Sequence, residues 1–125
     1  MKTILVADDN PVSRELVVEA LSGEWIVVEA ADGRSAVTRF HEDQPDLALI
    51  DIQMPSLNGF GVLQQIQQDA RSRKAPIVAL TAYAMQGDRE RALEAGFDAY
   101  ITKPIDLPAL RAEIRRLLAS RAEVL

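Results

Sequence analysis

The run Leu47-Ala48-Leu49-Ile50-Asp51, followed by Ile52-Gln53-Met54-Pro55 and the turn pair Asn58-Gly59, decides how this chain folds. Four consecutive apolar residues with no polar alternation describe a strand covered on both faces. That strand ends abruptly on a carboxylate. Outward from it the same design recurs. Ile4-Leu5-Val6-Ala7 stops at Asp8-Asp9, Ile77-Val78-Ala79-Leu80 at Thr81, and Ala99-Tyr100-Ile101-Thr102 at Lys103. A fifth run, Trp25-Ile26-Val27-Val28-Glu29-Ala30, ends on no polar candidate, as expected of an edge strand.

The strand-like runs fall near residues 3–8, 25–30, 46–51, 76–81 and 98–102, and segments of helical spacing separate them. Val12, Leu16, Val17, Ala20 and Leu21 predict an apolar stripe on a first helix, with Asn10 as its cap and Pro11 in its first turn. A second helix is predicted from about Gly33 to Glu42, with Ala36, Val37 and Phe40 inward. A third carries Phe60, Val62, Leu63 and Ile66. A short polar one spans Asp88 to Glu94. The last, capped by Asp106, buries Leu110, Ile114, Leu117 and Leu118. Strand and helix alternate five times, and parallel strands require such crossovers. The expected fold is a doubly wound α/β sandwich, (βα)5 and flavodoxin-like, with strand order 2-1-3-4-5.

The chain has 125 residues, the size of one domain, and no repeat or linker divides 1–125. Its formal net charge of -5 disfavours a nucleic-acid duplex as a direct partner. Arg111, Arg115, Arg116 and Arg121 make the last helix locally basic, which reads as a solvated face. With no cysteine, disulfides, thiolate catalysis and zinc–thiolate sites are excluded. No apolar stretch approaches the ~20 residues that span a bilayer, so no membrane partner is expected. Met1-Lys2-Thr3 leads straight into a strand, leaving no room for a signal peptide, so a cytoplasmic location is the default expectation.

In an open parallel sheet the carboxyl ends of the strands line one crevice. Asp8, Asp9, Asp51, Thr81 and Lys103 would meet there. Two carboxylates ~4 Å apart repel by about 4 kcal/mol at an effective dielectric near 20. Three together require a cation or a shared proton, and magnesium, a hard ion that keeps several waters, is the natural neutraliser. Asp9 and Asp51 are the expected ligands, with Asp8 bound directly or through water. Taken alone, Asp8-Asp9 reads equally well as a helix cap. Among neighbouring acids, Asp51 becomes a candidate nucleophile, because a carboxylate can attack phosphorus to give an acyl phosphate. Thr81 can donate its hydroxyl to one phosphoryl oxygen, and Lys103 can set its compact charge on another. Pro104 ends the last strand and restricts Lys103.

Asp8-Asp9, Asp51 with Met54-Pro55 and Gly59, Thr81-Ala82, and Lys103-Pro104 together resemble the receiver domain of two-component response regulators, from Lys2 to about Leu118. The resemblance implies a receiver domain; 1–125 is expected to be a single one with no output domain, either a stand-alone regulator or a module excised from a larger protein. It implies that Asp51 takes a phosphoryl group from a sensor histidine kinase or a histidine phosphotransfer protein. It further implies that Asp8, Asp9, Asp51 and the Gln53 backbone carbonyl hold Mg2+, that Thr81 and Lys103 contact the phosphoryl group, and that the Lys103–Pro104 bond is cis. Tyr100 would follow Thr81 inward, changing the surface of the fourth helix, fifth strand and fifth helix for a downstream protein target. Tyr100 reads equally well as a half-buried strand residue. Gln53 and Tyr83 occupy places that tune phosphoryl lifetime in the family. Thr81-Ala82-Tyr83-Ala84-Met85 with Gly87-Asp88 is similar to receivers of hybrid histidine kinases and of stand-alone cell-cycle regulators. Such a protein is no enzyme beyond its own magnesium-dependent phosphorylation and dephosphorylation. Homodimerisation through the last helix stays open.

Two rival readings share the ingredients. A phosphohydrolase of the haloacid-dehalogenase kind would carry an acid two positions after the nucleophile, where this chain has Gln53, and would need a substrate-capping element. A flavin- or nucleotide-binding module would need a phosphate-cradling loop after the first strand, where Asp8-Asp9-Asn10-Pro11 would repel phosphate. His41, the only histidine, lies late in a surface helix and is expected to be exposed and without chemistry.

Overall fold

The computed structural model describes residues 1–68, 75–82 and 86–123, the last three without their side chains. Five strands and five helices alternate: β1 (Thr3–Ala7), α1 (Pro11–Leu21), β2 (Ile26–Ala30), α2 (Gly33–Asp43), β3 (Leu47–Asp51), α3 (Gly59–Gln67), β4 (Ile77–Thr81), α4 (Asp88–Ala95), β5 (Ala99–Thr102) and α5 (Leu107–Glu123). All strand pairs are parallel and the order is β2-β1-β3-β4-β5, the flavodoxin-like arrangement expected from the sequence.

Alternate residues of each central strand face opposite sides, so each side has its own core. Leu5, Ala7, Ala48, Ile50 and Ala79 pack with Phe40, Val62, Ile66 and Phe97 under α2, α3 and α4. Ile4, Val6, Leu47, Leu49, Val78 and Leu80 pack with Val17, Leu21, Leu110 and Ile114 under α1 and α5. β3 and β4 are buried along their whole length. β2 and β5 lie at the edges and are largely half-exposed, as their sequences predict.

Helix starts follow their caps. The Asn10 side chain accepts from the amides of Val12 and Ser13, and the Asp106 carboxylate from that of Ala109. α2 and α3 begin the same way, on Asp32 and Asn58.

The stripe predicted for α1 is not the one that packs. Val17 and Leu21 are buried, but Val12 is 66% and Leu16 54% exposed. At about 100° per residue, Val12 lies roughly 140–180° round the helix from Val17 and Leu21. Only one of the two apolar rows can therefore meet the sheet. Half-buried Val18 completes the packed row. His41 is half-buried, not exposed, with its ring edge-on to Phe40 at 6.5 Å. It sits in the last turn of α2. Arg115 and Arg116 of the basic helix α5 are paired with Glu24 and Glu113, so two of its charges are answered locally. The Arg121 side chain, and Tyr83, Ala84 and Met85, lie outside the described residues.

Candidate functional site

Register brings the site together. Ala7 pairs with Ile50, so Asp8, one residue past β1, stands level with Asp51 at the end of β3. Asp51 pairs with Leu80, which places Thr81 one residue further out on β4. Lys103 follows β5, and its amide donates to the Thr81 carbonyl at 2.8 Å. The Lys103–Pro104 peptide bond is cis.

The side chains converge. Asp8, Asp9 and Asp51 offer carboxylate oxygens that all lie within 4.8 Å of one another. Asp8 and Asp51 are buried, whereas Asp9 is exposed. The Lys103 ammonium sits between the two buried acids, 2.8 Å from Asp8 Oδ2 and 2.7 Å from Asp51 Oδ2. Each acid also accepts a backbone amide on its other oxygen: Asn10 donates to Asp8 Oδ1 and Gln53 to Asp51 Oδ1, both at 2.9 Å. The buried Thr81 hydroxyl donates to Gln53 Oε1 at 3.0 Å.

The two buried carboxyls respond differently to this setting. Burial raises the Asp51 carboxyl above the ordinary value; the Lys103 and Gln53 contacts oppose it, and the Asp8 charge adds to the rise. Burial pushes Asp8 the same way, but the contacts to Lys103, Asn10 and Ser13 outweigh it and hold Asp8 below the carboxylate range. For Lys103, burial favours the neutral form, and the two carboxylates overcome it and raise its pKa. By formal charge, three acids against one ammonium leave the cluster negative.

That residue of charge, carried on hard oxygen donors beside an open edge, fits a divalent cation of the magnesium kind. Asp8, Asp9 and Asp51 would hold it; the Gln53 carbonyl is the fourth oxygen that the family resemblance implies.

Asp8, Asp9, Asp51, Thr81 and Lys103 are therefore brought together, while Tyr100 is half-buried on β5 and lines a separate groove. That groove, ≈ 520 Å³, runs between α4, β5 and α5, with Arg89, Leu93, Ile101 and Arg116 among its walls. The Tyr100 hydroxyl is buried with no hydrogen-bond partner among the described residues. Burial, and secondarily the charge of Asp88, raises its pKa.

Two participants were missed in the sequence. The Gln53 side chain had no assigned contact, and nothing local announces that it reaches a hydroxyl 28 positions away. Arg14 of α1, whose Nη1 donates to the Asp8 carbonyl at 2.7 Å, was not singled out in the sequence. Its place one turn after the capping Asn10 was a usable signal, because a long side chain there points back toward the end of β1.

A fold of this topology with an Asp pair, a strand-end Asp, a Thr and a Lys at one edge defines a class. Residues 4–115 match the response regulator receiver domain, and the chain belongs to that family. It is 40% identical over 116 residues to the probable transcriptional regulator ycf27 of Guillardia theta, covering 92% of this chain and 44% of that protein. It is 35% identical over 118 residues to the polar-differentiation response regulator DivK of Brucella anthropi, covering 94% of this chain and 96% of that one. The chain thus spans less than half of the first relative and nearly all of the second. The receiver domain of the sensor histidine kinase PA1611 of Pseudomonas aeruginosa PAO1, solved with a magnesium ion coordinated in its active-site cleft, superposes with a TM-score of 0.87 at 34% identity. That match covers 94% of this chain and 98% of that domain. Among the described residues, no helix is long and apolar enough to cross a membrane.

Proposed function

We propose that this receiver accepts a phosphoryl group on Asp51 from the phosphohistidine of a sensor histidine kinase or histidine phosphotransfer protein, and signals through the surface of α4, β5 and α5. The observation that carries this reading is the Lys103 ammonium bridging Asp8 and Asp51 beside the buried Thr81.

Asp51 is the only one of the three acids that belongs to a strand, with one oxygen on the Gln53 amide and the other on the ammonium. That grip aims the carboxylate instead of letting it rotate. In the transfer, an Asp51 oxygen attacks phosphorus. The P–O bond forms as the P–N bond breaks, and the electron pair leaves with the imidazole nitrogen. Bound magnesium, held by Asp8, Asp9, Asp51 and the Gln53 carbonyl, would supply positive charge to the phosphoryl oxygens. Lys103 then exchanges its bond to the Asp51 carboxylate for one to a phosphoryl oxygen, and Thr81 donates its hydroxyl to another.

The acyl phosphate carries roughly -1.5 to -2 charge where a carboxylate carried one. Movement of Thr81 toward it would free space for Tyr100, whose hydroxyl gains nothing from its present burial. An unsatisfied buried hydroxyl costs about 1–3 kcal/mol, so the position it occupies is poorly defended. The groove beside it changes with it, and a downstream protein that binds one shape better shifts the population. The site of action is the cytoplasm, and the chain's own chemistry is confined to gaining and losing its phosphoryl group.

The test is incubation with acetyl phosphate and MgCl2, followed by intact mass and peptide mapping. One phosphoryl group on the peptide holding Asp51, absent in Asp51→Asn and in EDTA, is expected. Modification that survives Asp51→Asn would reject the assignment.

A further inference from the structure

Beyond the acids themselves, Arg14 of α1 holds an unusual place. β1 makes its last sheet bond through the Asp8 amide, which donates to the Ala30 carbonyl at 3.1 Å. The Asp8 carbonyl has left the sheet, and it accepts instead from Arg14 Nη1 at 2.7 Å. The same guanidinium donates through Nε to Glu29 Oε1 of β2 at 3.1 Å. Arg14 is thus held from two sides, and its side chain is only 20% exposed.

We infer that Arg14 is a positioning residue of the acid cluster, pinning the Asp8 carbonyl and thereby the peptide that carries Asp9. The peptide group is planar, so fixing the Asp8 oxygen also fixes the amide nitrogen and the Cα of Asp9, from which its side chain departs. A charge-assisted bond of this length is among the stronger ones available to a backbone carbonyl. The Asp8 carboxylate has its own anchors in the Asn10 amide and Lys103. Exposed Asp9 depends on the backbone alone, between the peptide held by Arg14 and the helix cap at Asn10. Glu29 holds the guanidinium at the edge of the cluster and answers its charge, so Arg14 contributes geometry more than field. Among the described residues its hydrogen bonds go to the Asp8 carbonyl and Glu29, and to none of the three carboxylates that would hold the metal.

This inference rests on the magnesium reading of the site, and its sign separates it from a simple charge effect. A cation merely lying near three acids opposes Mg2+, so its removal would tighten binding. A positioning residue does the reverse, because loss of the groups that orient ligands costs about 10–100-fold in metal affinity.

The experiment is calorimetric titration of MgCl2 into the wild type, Arg14→Ala, Arg14→Gln and Arg14→Lys, with each thermal midpoint measured in EDTA. Arg14→Ala is expected to weaken Mg2+ by about tenfold. Arg14→Gln, which retains a donor for the carbonyl, and Arg14→Lys, which retains the charge but not the fork, should recover part of it. Unchanged or tighter Mg2+ binding in Arg14→Ala, with a lowered midpoint in EDTA, would overturn the inference and leave Arg14 a structural ion pair. Should Arg14→Ala not fold, equal affinity in Arg14→Gln, Arg14→Lys and the wild type would overturn it as well. A wild type that does not bind Mg2+ would reject the metal reading and this inference together.

Discussion

The Thr81 hydroxyl donates its hydrogen to Oε1 of Gln53, 3.0 Å away, across the crevice between β4 and the loop after β3. A hydroxyl has one hydrogen to donate. Thr81 therefore cannot serve Gln53 and a phosphoryl oxygen together, and Gln53 competes with the ligand. The net value of such a bond is about 1 kcal/mol, or roughly a factor of five in an equilibrium. Gln53→Ala is expected to bind beryllofluoride about fivefold more tightly in the presence of MgCl2, because the backbone carbonyl at residue 53 is unaffected. In a Thr81→Ala background the same change should do nothing. Equal effects in both backgrounds would show that Gln53 acts on something other than the hydroxyl.

Among the described residues, Lys103 is the sole ammonium between two buried acids, its own side chain 17% exposed. Lys103→Met leaves Asp8 and Asp51 facing each other without it. Removing one partner of a buried pair costs about 3 kcal/mol or more. The metal-free protein should lose that much stability in urea titrations, and saturating MgCl2 should restore most of it. Mg2+ should bind the variant more tightly than the wild type, while phosphorylation by acetyl phosphate falls. A variant as stable as the wild type in EDTA would mean the acids do not repel.

Away from the site, Arg115 joins Glu24 through Nε at 2.8 Å and through Nη2, and its guanidinium lies 5.9 Å from the Trp25 ring. Arg115 holds the Glu24 carboxyl below its ordinary value. A carboxylate with a depressed folded value contributes its stability above the unfolded value, 4.5 for Glu, and loses it as pH falls through the folded one. A double-mutant cycle with Glu24→Gln and Arg115→Gln should show coupling at pH 7, weakened by salt, which vanishes below pH 4.5 as the folded value is passed. Both groups are exposed, so the coupling is small. Coupling that survives full protonation of Glu24 would assign it to the Trp25 contact instead.

The fold was legible because β1, β3 and β4 are buried on both faces and say so in four-residue apolar runs. Their terminal Asp and Thr, and the Lys that follows β5, could be placed at one edge by strand order alone. Less was legible where two readings share a sequence. Val12 and Leu16 have the spacing of a packed row, yet Val17 and Leu21 took the sheet, and hydrophobic spacing carries no mark of which row meets a partner. The Gln53 side-chain contact was invisible for another reason. A long polar side chain reaches its partner through a rotamer, and composition does not record rotamers. Tyr100 falls between: the sequence places it on β5, but only coordinates reveal that its hydroxyl is buried without a partner among the described residues.

Gly59 marks where α3 is brought against the end of β3. A Cβ there would sit 2.7 Å from the Ile52 Cα and 2.9 Å from the Asp51 carbonyl oxygen, both backbone atoms that no side-chain rotation can move aside. The Gly59 amide also donates to the Ile52 carbonyl at 2.8 Å, so helix and loop are tied at this contact. Alanine would gain about 1 kcal/mol in helix propensity over glycine. Overpacking against backbone costs typically 1–3 kcal/mol and outweighs it. Gly59→Ala should therefore lower stability by about 1 kcal/mol, and the displacement passes into the peptide that follows Asp51. Slower phosphorylation by acetyl phosphate at saturating MgCl2 is expected alongside the lower thermal midpoint. A raised midpoint would show that the α3 terminus yields freely and that glycine is not required for the approach.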